Sequence, residues 1–227
     1  MFLIQFDRAV CGLINHAARH WPWLDQTAVV ITESDLLKGG VVLAIFWAMW
    51  FRYPAAREQL LAGLGGSLAA LSIARVMSYV LPSRPRPLLD PGMHFVAPFG
   101  LHDQSNWTNW SAFPSDHAAL FFAIVVGIWL ANWRVGILAA LYVLIAICLP
   151  RMYVGIHYPS DVIAGALLGV GSVAILAQVR RYWGNPIARV LERYPGWGYA
   201  FLYLLTFQIA TLFWDLRVIV SYFGIST

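Results

Sequence analysis

The sequence predicts an all-α integral membrane protein, six transmembrane helices preceded by an interfacial helix. Three observations carry that prediction. Of 227 residues, 60% are hydrophobic and 11% charged, against roughly 25% charged in a soluble domain. The apolar residues fall into stretches near the ~20 residues needed to cross the hydrocarbon. In lipid such stretches must be helical, because an unpaired backbone group there has no water to bond. The third observation is charge placement. The basic residues, 14 arginines and the single Lys38, give a net charge of +4 and mostly mark the ends of apolar stretches. That pattern sets topology or binds anions rather than nucleic acid.

Residues 2–18 place Phe2, Leu3, Phe6, Val10, Leu13 and Ile14 at helical spacing, with Asp7, Arg8 and Asn15 between them. This amphipathic helix is too polar to span and fits the membrane surface. The same polar residues interrupt any secretory h-region, so no signal peptide is evident. Trp21-Pro22-Trp23 suits the headgroup level. Spans are expected at about 31–51, 60–81, 113–131, 135–149, 162–179 and 197–219, the first with polar outer turns (Glu33, Asp35, Lys38) facing protein or water. Cys11 and Cys148 have neither disulfide nor metal-knuckle spacing. The whole chain, 1–227, is read as one membrane-embedded domain with a catalytic core at 60–180.

Arg52 and Arg57, then Arg134, then Arg180, Arg181, Arg189 and Arg193 lie in connections that fall on one side, expected to be cytoplasmic. The opposite side receives 82–112, 150–159 and both termini. Arg84, Arg86 and Arg151 violate the charge bias there, which points to function.

Three clusters lie on that outer side. Pro82-Ser83-Arg84-Pro85-Arg86-Pro87 is a stiff extended segment that holds guanidiniums in fixed directions, and Arg75 shares a helix face with Tyr79 just upstream. Phe113-Pro114-Ser115-Asp116-His117 reads as a helix start, with Pro114 and Ser115 at the end and free N–H donors for an anion. Pro150 to Asp161 carries Arg151, His157 and Asp161. The four-residue spacing lets the Asp161 carboxylate turn back toward the imidazole. Several guanidiniums match the oxygens of a phosphate. Two histidines fit its transfer without a metal, one as nucleophile and one as proton donor.

At these residues the chain resembles the type 2 phosphatidic acid phosphatase superfamily, which includes vanadium haloperoxidases and shares a helical core with them. Its third block is matched by Arg151, His157 and Asp161, and its second by Pro114, Ser115 and His117. The resemblance implies that His157 is the nucleophile, Asp161 its orienting partner, and His117 the general acid and then base. It makes Arg151 and Ser115 phosphate ligands, to which the first cluster adds Arg86 and Arg84. Three positions depart from the family pattern. Asp116 replaces a glycine, in the form seen in the bacterial undecaprenyl-diphosphate phosphatase group, and Pro150 replaces a serine. The first block's lysine position falls on Tyr79 or Met77, so Arg75 is expected to reach the same phosphate. Asp116 would hold Arg84 or Arg151, or tune His117; Tyr79 is a further tuning candidate.

The resemblance implies a phosphatase of membrane lipids in the bacterial inner membrane, its site facing outward and needing no cofactor or metal. The expected substrate is undecaprenyl diphosphate, recycled to the monophosphate that carries cell-wall glycans. Phosphatidic acid and phosphatidylglycerol phosphate are alternatives. The residues also admit a lipid phosphotransferase, a membrane haem protein, or a structural or transport protein in which Asp215 and Arg217 pair internally. The segment 87–112, with His94, His102, Asp103, Trp107 and Trp110, reads either as a lid or as an interface anchor.

Overall fold

Apolar stretches bounded by Pro, Asn and Trp punctuation become helices throughout. The structure, a computed structural model, describes residues 2–101 and 110–222, without the side chains of Phe2, Arg181, Asn185, Arg217, Val220 and Ser221. Its helices are α1 (Phe2–Asn15), α2 (Pro22–Glu33), α3 (Val41–Arg52), α4 (Arg57–Val80), α5 (Asp116–Ala131), α6 (Trp133–Tyr142), α7 (Leu149–Tyr153), α8 (Pro159–Arg193), α9 (Pro195–Ala210) and α10 (Trp214–Tyr222). No strand occurs among the described residues.

Helices α4, α5 and α8 form the centre, and small residues let them approach. A Cβ on Gly127 of α5 would lie 2.7 Å from the Gly63 Cα of α4, and one on Gly165 of α8 would lie 2.2 Å from the Ser115 carbonyl. Neither position accepts a larger residue without moving backbone. Phe46, Trp50, Leu60, Leu120, Phe121, Ile124 and Ile128 fill the core beside them. The outward faces stay apolar, with Val76 on α4, Leu138 and Leu141 on α6, and Ile163, Leu167 and Ile175 on α8 exposed. This inside-out pattern suits lipid.

Among the described residues, three segments are long and apolar enough to cross a membrane: Pro54–Val80, Trp133–Tyr153 and Pro159–Arg180. Helix α5 is apolar but shorter, at 16 residues. The structure departs from the expected spans at four places. The first span breaks at Ser34 and resumes as a π-helical stretch, Leu36–Gly40, that leads into α3. The fourth is longer than read. A second π-helical stretch, Val143–Cys148, joins α6 to α7, and its widened turn admits Pro150, which has no N–H to give and would crowd a regular α-helix. The fifth continues through the expected cytoplasmic connection to Arg193, with Pro186 inside the helix. The sixth is broken between α9 and α10, where Leu212 (φ 49°) and Phe213 (φ 58°) take left-handed backbone, a costly conformation for large side chains. The pairing of Asp215 with Arg217 cannot be read, because the Arg217 side chain lies outside the described residues.

Candidate active site

The C-terminal ends of α4 and α7 and the N-terminal ends of α5 and α8 meet at one end of the bundle. A cavity of about 600 Å³ opens there. Arg75, Arg86, Asp116, His117, Arg151 and His157 line it together, with Glu33 and Asp35 at the break after α2, Lys38 from the first π-helical stretch and Thr211, Leu212 and Trp214 from the α9–α10 break. A second concavity, about 540 Å³ at the far end of α5, has Arg134 as its one charged lining residue.

His157 sits in the bend between α7 and α8, 3% exposed. The bend forms because Gly155 takes φ +78°, where a Cβ would strike Phe95 and Leu88. The Nδ1 of His157 is 2.9 Å from the Ala112 carbonyl oxygen. A carbonyl only accepts, so Nδ1 carries the proton and Nε2 keeps its lone pair. That Nε2 is buried and without a hydrogen-bond partner among the described residues. Burial first, then the like charges of Arg151 and Arg86, hold the imidazole well below its ordinary value, so it is neutral. Asp161 was expected to orient this ring. Its Oδ2 instead accepts the Tyr158 N–H at 2.7 Å and stands 3.9 Å from Nδ1, leaving the orienting bond to Ala112.

His117 is held by its neighbour. Asp116 Oδ1 accepts from the His117 backbone N–H at 2.8 Å and lies 2.9 Å from the ring Nδ1, while Oδ2 takes Arg75 Nη2 at 2.7 Å. Asp116 therefore orients His117 and neutralises Arg75, rather than holding Arg84 or Arg151. Arg75 also lies 5.0 Å over the Trp110 ring. Trp110 thus belongs to the cavity wall. His94 is exposed and apart from the cavity, and His102, Asp103 and Trp107 lie outside the described residues. Tyr79 is 66% exposed and packs on the Trp110 ring without lining the cavity.

Two expected phosphate ligands are placed elsewhere. Ser115 is buried at the N-cap of α5, where its hydroxyl accepts from Ala118 N–H and its own N–H donates to the Asp161 carbonyl. Helix α5 begins at Asp116, so Pro114 precedes the cap. The first-turn donors of His117 and Ala118 are already engaged, and the helix end offers fewer free N–H groups than expected. Arg84 does not line the cavity. Its Nη1 donates to Asp161 Oδ1 (2.6 Å) and Ser160 Oγ (2.8 Å), and its Nη2 to Asp7 Oδ2 (2.6 Å). Its Cζ lies 3.9 Å from the Tyr158 ring centroid. Burial opposes the Arg84 charge, but the Asp7 hydrogen bond and the nearby Asp161 carboxylate outweigh it and raise the guanidinium above its ordinary value.

Arg86 and Arg151 remain at the cavity. Arg151 is 8% exposed, and its Nε has no hydrogen-bond partner among the described residues. Burial, then the like charge of Arg151, lowers Arg86 to about 10, still protonated at neutral pH. Crowding like charges in a partly dry cavity is unfavourable until an anion enters.

Sequence reasoning missed Asp7, which ties α1 to the start of α8, and the carbonyl of Ala112. It read Lys38 only as part of a polar turn. A lone lysine inside an apolar span was the available signal.

A cavity of this charge suits a compact oxyanion, and imidazoles at its wall suit breaking a bond to that anion; the class is a phosphatase carried on membrane-type helices. The chain belongs to the PAP2 superfamily, whose family model matches residues 60–185. It is similar to a putative undecaprenyl-diphosphatase, YbjG, of Escherichia coli K12, at 30% identity over 74% of this chain and 79% of that protein. The undecaprenyl-diphosphatase BcrC of Bacillus subtilis is 26% identical over 73% of this chain and 78% of its own. An undecaprenyl-diphosphatase of Sulfolobus acidocaldarius is 29% identical over 69% and 62%. No solved structure gives a significant match.

Proposed function

We propose that the protein hydrolyses the terminal phosphate of a polyprenyl diphosphate, most simply undecaprenyl diphosphate, through a phosphohistidine on His157. The observation that carries this reading is that His157, whose buried Nε2 has no hydrogen-bond partner among the described residues, lines the same cavity as Arg86, Arg151 and His117. The names of the relatives support a diphosphate substrate.

Arg86 and Arg151 grip the terminal phosphate, with Arg75 as a weaker contact because Asp116 already neutralises it. The Nε2 lone pair attacks the terminal phosphorus, and the bond from phosphorus to the bridging oxygen breaks. The bond's electron pair stays on the lipid monophosphate. The guanidiniums match charge on the equatorial oxygens. Asp161, 3.9 Å from Nδ1, offsets the positive charge that the phosphorylated ring acquires. His117, protonated once the substrate anion joins Asp116 beside it, gives that proton to the departing oxygen, then takes one from the water that attacks the phosphohistidine. Inorganic phosphate leaves and His157 is restored. Water as acceptor makes this a hydrolase; an alcohol in its place would make it a transferase.

The membrane arrangement in this reading has six crossings, α5 and two broken helices joining the three long spans, with 60–180 as the catalytic core. The cavity opens to the outer face of the inner membrane, where the lipid tail stays in the bilayer. The deciding experiment measures phosphate release by purified, detergent-solubilised protein from polyprenyl diphosphate, phosphatidic acid and phosphatidylglycerol phosphate. Polyprenyl diphosphate should be the preferred substrate, and His157→Ala should lose at least about 10³-fold in kcat. Wild-type turnover in that variant refutes the nucleophile assignment.

A further inference from the structure

The chemistry above leaves one buried cation of the cavity without a task. Lys38 is the only lysine in the chain and is 8% exposed. An ammonium withdrawn from water needs a matching anion. Its ion-pair partner, Asp35 at 3.1 Å, has a side chain 51% exposed against 10% for the lysine. Water screens such a pair and readily replaces it on the acid's side. The backbone beneath is fixed. Gly39 presses on α9, where a Cβ would lie 2.5 Å from the Ala210 Cβ, and the Tyr142 hydroxyl donates to the Leu37 carbonyl. A built turn therefore holds the ammonium at the cavity wall, and its charge acts on both Arg151 and His117.

We propose that Lys38 binds the lipid-side phosphate of a diphosphate substrate, the phosphate that departs. This rests on the reading that the site hydrolyses a lipid diphosphate. A diphosphate monoester brings a formal charge near −3, of which Arg86 and Arg151 answer two. As the bridging bond breaks, negative charge builds on the departing oxygen of the lipid-side phosphate before His117 protonates it. A third cation on the same wall meets that growing charge, while Asp35, half exposed beside it, gives up the ion pair to water. A lipid monophosphate has no second phosphate and gains little from Lys38.

Two measurements on the full-length protein separate this inference from the function it rests on. In the first, Lys38→Met and Lys38→Arg are assayed on a polyprenyl diphosphate and the matching monophosphate. Lys38→Met should lose about 30-fold in kcat/KM on the diphosphate, the worth of one charged hydrogen bond, and only about threefold on the monophosphate. Lys38→Arg should recover most of the loss. Equal losses on both substrates, or none, overturn the proposal. The second measures binding of inorganic pyrophosphate and orthophosphate by calorimetry, without turnover. Wild type should prefer pyrophosphate and Lys38→Met should lose that preference; an unchanged preference overturns the role of Lys38 even where the lipid substrate proves different. Failure of the wild type to cleave lipid diphosphates would refute the proposed function alone.

Discussion

Arg84 and Arg86 are two residues apart on one proline-stiffened segment, yet they belong to different machinery. Arg84 meets two buried carboxylates, a hydroxyl and an aromatic face. Arg86 lines a cavity beside a like-charged neighbour, its charge held at a cost. One guanidinium is engaged by carboxylates that the chain itself supplies; the other stands at the cavity where the proposed phosphate would enter. One short segment thus serves both the tie between α1 and α8 and the cavity wall.

This contrast can be broken by swapping the losses. Arg86→Gln should lower kcat/KM on the preferred lipid about 10²- to 10³-fold, as removal of a transition-state donor does, while thermal stability holds or rises. Arg84→Gln should do the reverse to stability. It leaves Asp7 and Asp161 without their shared cation, costing about 2–3 kcal/mol after allowance for partial exposure, read as a lower unfolding midpoint. If both variants melt alike and differ only in affinity, the distinction between the two arginines is wrong.

A smaller effect is expected at the second imidazole. His117→Gln should cost about 10²-fold on a phosphomonoester lipid, whose leaving alkoxide needs a proton, and about tenfold or less on a diphosphate, whose leaving phosphate does not. Equal losses would take His117 out of the acid role. The smallest effect is a null. The cavity holds the His157 pKa down, so its ring should stay neutral, with the proton on Nδ1, as pH falls from 8 to 6. Nitrogen NMR of labelled histidine reads this directly. A titration near 6.5 would mean the ring is neither buried nor beside the arginines.

The third cluster was legible because its chemistry is local. Arg151, His157 and Asp161 lie within eleven residues, and the spacing alone brings the first two into one cavity. Which acceptor each group meets was not legible. Asp161 is claimed by Arg84 and Tyr158 N–H, and His157 by a carbonyl 45 residues away. Long-range partners depend on helix packing, which hydrophobic periodicity does not encode. The long helices were readable from hydropathy, but the breaks were not. Ser34 gives no strong stop signal, and the left-handed Leu212 and Phe213 oppose their own propensities. Asp116 sits beside His117 in sequence, and the structure places its Oδ1 2.9 Å from the His117 Nδ1.

The tie between Asp7 and the start of α8 has a practical side. Asp7 accepts from Arg84 and from both the hydroxyl and the N–H of Ser160, yet it stands on a surface helix whose Leu3, Ile4 and Leu13 face outward. A harsh surfactant that peels this helix from its seat would unfasten the residues next to His157 while the long helices stay intact. Samples that look well folded by circular dichroism and still lack turnover should thus be rescued by gentler solubilisation.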